Sequence, residues 1–140
     1  MPINVHHGVT EARSSDRLLS ESLTEQIIGA AIEVHRELGP GLLESVYEEC
    51  VCEELRLRGI PFRCQIALPV TYKGIETGGK YRIDLIVADE GLVELKSVER
   101  ILGVHEAQLL TYLKLTGKRV GLLINFNVAS LHRGILRRVL

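Results

Sequence analysis

The spacing of apolar residues changes period twice along this chain, and that limits the folds open to it. From Ser22 to Gly59 apolar residues recur at helical spacing. From Phe62 to Val98 they alternate or run in short blocks, and from Gly103 to Gly117 the helical spacing returns. Two helices, three strands, one helix and a closing strand or two make an α/β fold with a mixed central sheet. Short turns join antiparallel neighbours, whereas a crossover helix delivers a parallel strand.

The boundaries are set by local chemistry. Ser22 with Glu25 three residues on reads as a capping box, and Ile27, Ile28, Ala31, Ile32, His35 and Leu38 form the first apolar stripe. Gly39 and Pro40 stop that helix. The second helix runs from about Leu43 to Arg58, with Val46, Cys50, Val51 and Leu55 inward. "FRCQIALPVTYKG" is a strand that Pro69 places at an edge, at a bulge or at an early finish, and "GIETGGK" turns the chain. "YRIDLIVA" and "GLVELKSV" pair through Asp89, Glu90 and Gly91. "GVHEAQLLTYLKLTG" is a helix with Val104, Ala107, Leu109 or Leu110, and Leu113 as its apolar set. "RVGLLINF" reads as a strand covered on both faces, and Gly134 favours a short strand in "SLHRGILRRVL". Residues 22–140 are expected to form one domain behind a loosely ordered leader, residues 1–21, which has no signal-peptide pattern.

No apolar run approaches the roughly 18 residues of a membrane span, so no membrane partner is expected. Cys50, Cys52 and Cys64 lack zinc spacing and read as reduced core thiols of a cytoplasmic protein. Of 17 basic residues six follow Glu106, and none of the 18 acidic residues does, so the chain carries −7 up to Glu106 and +6 beyond it. A basic last third suits a phosphate backbone, although charge runs are more often solvated faces balanced elsewhere.

Asp84, Glu94 and Lys96 are the chemical anomaly of the central hairpin. Ile83, Leu85 and Val87 should share one face, leaving Asp84 with Arg82 and Ile86 on the other. Glu94 and Lys96 share a face with Leu92 and Val98. Carboxylates among apolar neighbours are costly unless paired or bound to a cation. Asp84 and Glu94 could hold magnesium or manganese, with Lys96 orienting a water. The plainer alternative is a salt bridge from Lys96 to either acid. Directly paired residues of a hairpin share a face, so the two acids face together only if pairing numbers sum to an even value, as with a three- or five-residue connection. Gln108 and Tyr112 are four apart on one helix face. Glu44 and Tyr47 open the second helix three residues apart; Glu44 is also favoured there by the helix dipole, and Tyr47 could simply be core.

The stretch "GAAIEVHRELGPGLLESVYEECV" resembles the signature of the GxxExxY proteins, carried here by Gly41, Glu44 and Tyr47, and the likeness runs from about Leu23 to the C-terminus. The resemblance implies membership of the PD-(D/E)XK nuclease-like superfamily, with an αβββαβ, restriction-endonuclease-like core. It makes Asp84 the motif aspartate, Glu94-Leu95-Lys96 the (D/E)XK element and Glu44 the first-helix acid. Gln108 and Tyr112 become a QxxxY element. Catalytic Asp84, Glu94, Lys96, Glu44, Gln108 and Tyr112 would then surround a metal held by Asp84, Glu94 and Glu44. The expected activity is magnesium- or manganese-dependent phosphodiester hydrolysis of DNA first and RNA second. A catalytically silent module that binds nucleic acid or protein is the alternative. The sequence names no oligomeric state, and a homodimer is among those it allows.

Overall fold

The computed structural model describes residues 21–140. The first helix, α1, covers residues 21–38 of the described chain, and α2 spans Glu44–Leu57. Then come β1 (Phe62–Leu68), β2 (Thr71–Tyr72), β3 (Ile75–Glu76), β4 (Tyr81–Val87) and β5 (Gly91–Lys96). Helix α3 (Gly103–Thr116), β6 (Val120–Asn125), a 3-10 turn (Leu131–Gly134) and β7 (Ile135–Val139) complete the order. The sheet runs β1-β4-β5-β6-β7, and β2 with β3 forms a separate hairpin. Among the described strands of this sheet only β5 and β6 are parallel, because α3 carries the chain across between them.

Two cores sandwich the sheet. On one face Ile27, Ala31 and Val34 of α1 and Tyr47, Val51 and Leu55 of α2 cover Leu85, Val93, Leu95, Leu122 and Ile124. On the other, Leu109, Tyr112 and Leu113 of α3 cover Ile83, Ile86, Leu92 and Leu123. Every residue of β6 is therefore buried, as its continuous apolar run requires.

The expected order of elements holds, and Pro69 follows an edge strand that stops at Leu68. Several local expectations are corrected. Ser22 lies inside α1 and accepts from Gln26 Nε2 at 3.4 Å, so it does not cap the helix. Val104 and Ala107 are exposed, and the inner face of α3 is Leu109, Tyr112 and Leu113. The stretch read as one strand ends at Leu68, and its last residues pair with the glycine-rich segment as the β2–β3 hairpin, turned at Lys73 and Gly74 with φ of 47° and 83°. The expected leader lies outside the described residues apart from Glu21. Among the described residues no helix is long and apolar enough to cross a membrane.

Tyr47 explains the loop between the first two helices. Its ring is fully buried and stacks on Phe126 at 4.4 Å between centroids. Its hydroxyl donates to Gly39 O at 2.6 Å and accepts from Leu42 N at 3.1 Å, while Ser97 Oγ donates to Leu42 O at 2.6 Å. The Gly39–Leu43 loop is thus tied both to α2 and to the segment just after β5. Tyr47→Phe removes both bonds, from a half-buried carbonyl at Gly39 and a more exposed amide at Leu42, with an expected loss of about 0.5–1.5 kcal/mol in denaturant unfolding. An unchanged midpoint would show that the loop is held by other contacts.

Candidate active site

The β4–β5 ladder pairs Val87 with Gly91, Ile86 with Leu92 and Leu85 with Val93, across a three-residue connection of Ala88, Asp89 and Glu90. The pairing sum is even, the condition for Asp84 and Glu94 to stand opposite one another. Ala88 and Asp89 take left-handed φ of 51° and 57°, and Lys118 Nζ holds the turn at Asp89 O, 2.7 Å away.

Beyond Leu85 the ladder stops, and the two acids bridge the strands with their side chains. Glu94 Oε2 accepts from the Asp84 amide and Asp84 Oδ2 accepts from the Leu95 amide, each at 2.8 Å. The β1 ladder also skips this position: Cys64 pairs with Leu85 and Ile66 with Ile83, while Gln65 between them has φ of 51°. Asp84 is therefore missing from the ladders on both sides, and the carboxylates satisfy amides that the opened sheet leaves bare. Strand alternation breaks here too. Ile83 packs with Ile86 beneath α3, while Leu85 and Val87 pack beneath α1 and α2, so the expected common face of Ile83, Leu85 and Val87 is corrected.

Asp84 lines a cavity of about 190 Å³ with Glu44, Ser45, Glu48, Gln65 and Leu95. Glu48 accepts from Gln65 Nε2 at 2.6 Å; burial raises its carboxyl above the usual range, and Asp84 adds to the rise. Glu44 is exposed at the mouth and makes no side-chain bond among the described residues. Glu94 is only 4% exposed and shares a face with Leu92 and Leu123. Burial first and Asp84 second push its carboxyl up to about 8, against the pull of Lys96. Lys96, half-buried at the end of β5, makes no ion pair among the described residues, so the salt bridge to Asp84 or Glu94 is not formed. Gln108 Nε2 donates to the Tyr112 hydroxyl at 3.1 Å. Burial raises that phenol, and Glu94, Tyr81 and Asp84 add to the rise.

The expected residues thus flank the place where β4 and β5 part: Glu44 and Asp84 on the α2 side, Glu94 on the α3 side with Gln108 and Tyr112, and Lys96 at the end of β5. As the side chains stand, no three His, Cys, Asp or Glu converge on one point among the described residues. Glu48 and Gln65 are additions. Glu48 was readable as the residue one turn after Glu44 on the same helix face. Gln65 carried no signal, because alternation does not foretell a left-handed glutamine within a strand.

A family model described as the PD-(D/E)XK nuclease superfamily matches residues 21–139. The chain belongs to that superfamily. No curated protein and no solved structure matches it. The five-stranded mixed sheet flanked by helices is the restriction-endonuclease-like arrangement expected of a PD-(D/E)XK member. The basic last third is less available than its sequence suggested. Lys118 pairs with Asp89 and Arg138 with Glu106, while Lys114 and Arg133 stay exposed without ion pairs among the described residues.

Proposed function

We propose that this PD-(D/E)XK protein is a metal-dependent phosphodiesterase of the GxxExxY type that hydrolyses nucleic acid, DNA first. One observation carries the proposal. Glu44, Glu48 and Asp84 line a cavity at the parted strands, and buried Glu94, bonded to the Asp84 amide, has no cationic partner within ion-pair distance among the described residues. A buried carboxylate in that state is stabilised by a bound cation, and an all-oxygen donor set suits magnesium or manganese. Asp84, Glu94 and Glu44, joined by Glu48, would hold the ion. When bound, it would supply Lewis acidity at a phosphoryl oxygen and a more acidic coordinated water.

The chain's own residues do the rest. Lys96, unpaired and half-buried, orients the attacking water from its Nζ. Gln108 and the Tyr112 hydroxyl position a substrate phosphate oxygen and limit where Lys96 can swing. Glu44, free of side-chain partners, turns toward the ion from the mouth. Glu48, already locked by Gln65, stands beside Asp84.

A second reading has its own observation: Asp84 and Glu94 each already give one oxygen to a backbone amide, as they would in a silent nuclease-like binding module. Manganese titration by calorimetry separates the two. The enzyme requires binding that Asp84→Asn abolishes. Glu48→Gln is expected to weaken binding more than Glu44→Gln, because Glu48 is fixed beside Asp84 while Glu44 must be recruited. Heat-silent titration of the wild type favours the module, and equal affinity in wild type and both glutamine variants removes α2 from the site.

A further inference from the structure

A second cavity of about 250 Å³ opens at the same end of the sheet, lined by Val70, Tyr81, Gln108, Thr111, Tyr112 and Leu115. The hydrogen-bonded Gln108–Tyr112 pair forms part of its wall. Its walls are mainly apolar and aromatic. The Tyr81 ring stands edge-on to Tyr112, 6.5 Å between centroids, and is still 46% exposed. Gly79 lies directly against that ring: a Cβ there would come within 2.7 Å of Tyr81 Cε2, so the absent side chain leaves the ring its place at the mouth. The Tyr112 hydroxyl already receives the Gln108 amide hydrogen. The Gln108 carbonyl oxygen and the Thr111 hydroxyl make no hydrogen bond among the described residues, which leaves an acceptor and a donor at the rim. Lys80 and Arg82 flank Tyr81, exposed and without ion pairs among the described residues.

We infer that this cavity receives one unpaired nucleobase of the substrate, so that the protein acts on single-stranded nucleic acid or on a frayed end. The inference rests on the nuclease proposal for the neighbouring acids. A base is a flat, largely apolar body with a polar edge. It gains from an aromatic platform whatever its identity, whereas a base inside a duplex cannot leave its stack without cost. The cavity offers the platform in Tyr81 and two polar groups for the edge. A base seated there would bring its own phosphate toward Gln108, Tyr112 and the parted strands.

The test uses the full chain carrying Asp84→Asn, which takes cleavage out of the measurement, and fluorescence anisotropy with labelled ten-nucleotide single strands of DNA and RNA and a blunt duplex. Single strands are expected to bind more tightly than the duplex. Adding Tyr81→Ala should weaken single-strand binding about ten- to hundredfold, the range of one lost base stack, whereas Tyr81→Phe should keep it. A strand lacking one base at the seated position should bind less well to the parent protein and lose nothing more with Tyr81→Ala. Equal binding with Tyr81→Ala, no cost for any missing base, or no single-strand binding would each overturn the pocket. The two ideas fail separately. Tyr81-dependent binding without cleavage by the wild type removes only the enzyme, and duplex cleavage indifferent to Tyr81→Ala removes only the pocket.

Discussion

Glu94→Gln is expected to abolish cleavage and, with divalent ions chelated, to make the protein more stable at pH 8 than the wild type. Glu94 keeps its proton in the fold to about pH 8, because burial and then Asp84 disfavour the charged form, whereas its unfolded value is the ordinary 4.5. Between those values the native state holds a proton that the unfolded state has lost, so stability from this group is full below 4.5 and falls as pH rises through 8. Glutamine cannot ionise, and it retains a carbonyl oxygen to accept from the Asp84 amide. The gap between variant and wild type should therefore widen from near zero at pH 4.5 to a few kcal/mol at pH 8, at about 1.4 kcal/mol per pKa unit. Parallel denaturant curves at pH 5, 6.5 and 8 measure it. A constant gap across that range would mean that Glu94 is ionised throughout, and the site would need a cation partner not yet identified.

Gly134→Ala should be the most damaging small substitution in the chain. A Cβ at Gly134 would sit 2.1 Å from the carbonyl oxygen of Asn125, a backbone atom at the end of β6 that cannot step aside cheaply. The conflict reaches the site, because Asn125 is buried and holds the segment that leaves β5. Its Oδ1 accepts from Val98 N at 3.0 Å and from Asn127 N at 3.2 Å, and its Nδ2 donates to Val98 O at 2.9 Å. Lys96 stands beside Asn125 in the parallel register. Forced overpacking of this kind costs about 3 kcal/mol or more when backbone must move, a fall in Tm of about 10 °C for a domain of this size. Activity should fall further than stability alone explains, since Lys96 loses its anchor. A Tm within about 2 °C of wild type would show that the 3-10 turn packs differently against β6.

How much of this was legible in the sequence differs by residue. The hairpin acids and Lys96 stood out because charge among apolar neighbours is costly, and parity arithmetic narrowed the connection to three or five residues or a bulge, of which the structure has three. Tyr47 was legible as a spacing and as a candidate core residue, and it is core. Its two hydrogen bonds to the Gly39–Leu42 loop belong to a contact that period and propensity do not encode. Ile83 misled, because alternation assumes an unbroken strand and the β1 neighbour is bent at Gln65. Val104 and Ala107 misled for the opposite reason: α3 is apolar enough all round that its inner face cannot be read from composition. Lys118 and Arg138 looked like a strip for phosphates, and their acids, Asp89 and Glu106, lie far away in sequence.

The most direct measurement is cleavage by the full chain of a panel of single-stranded, duplex and branched DNA and RNA, with magnesium, with manganese and with chelator, beside Lys96→Ala. The expected result is metal-dependent cleavage of at least one DNA substrate, lost on chelation. Lys96→Ala should lower the rate by about a hundred- to ten-thousandfold, the worth of one positioned proton-handling group, with an unchanged melting temperature. Intact substrates throughout the panel at protein concentrations that bind them, or cleavage that persists in chelator and in Lys96→Ala, would contradict a metal-dependent nuclease built on Asp84, Glu94 and Lys96.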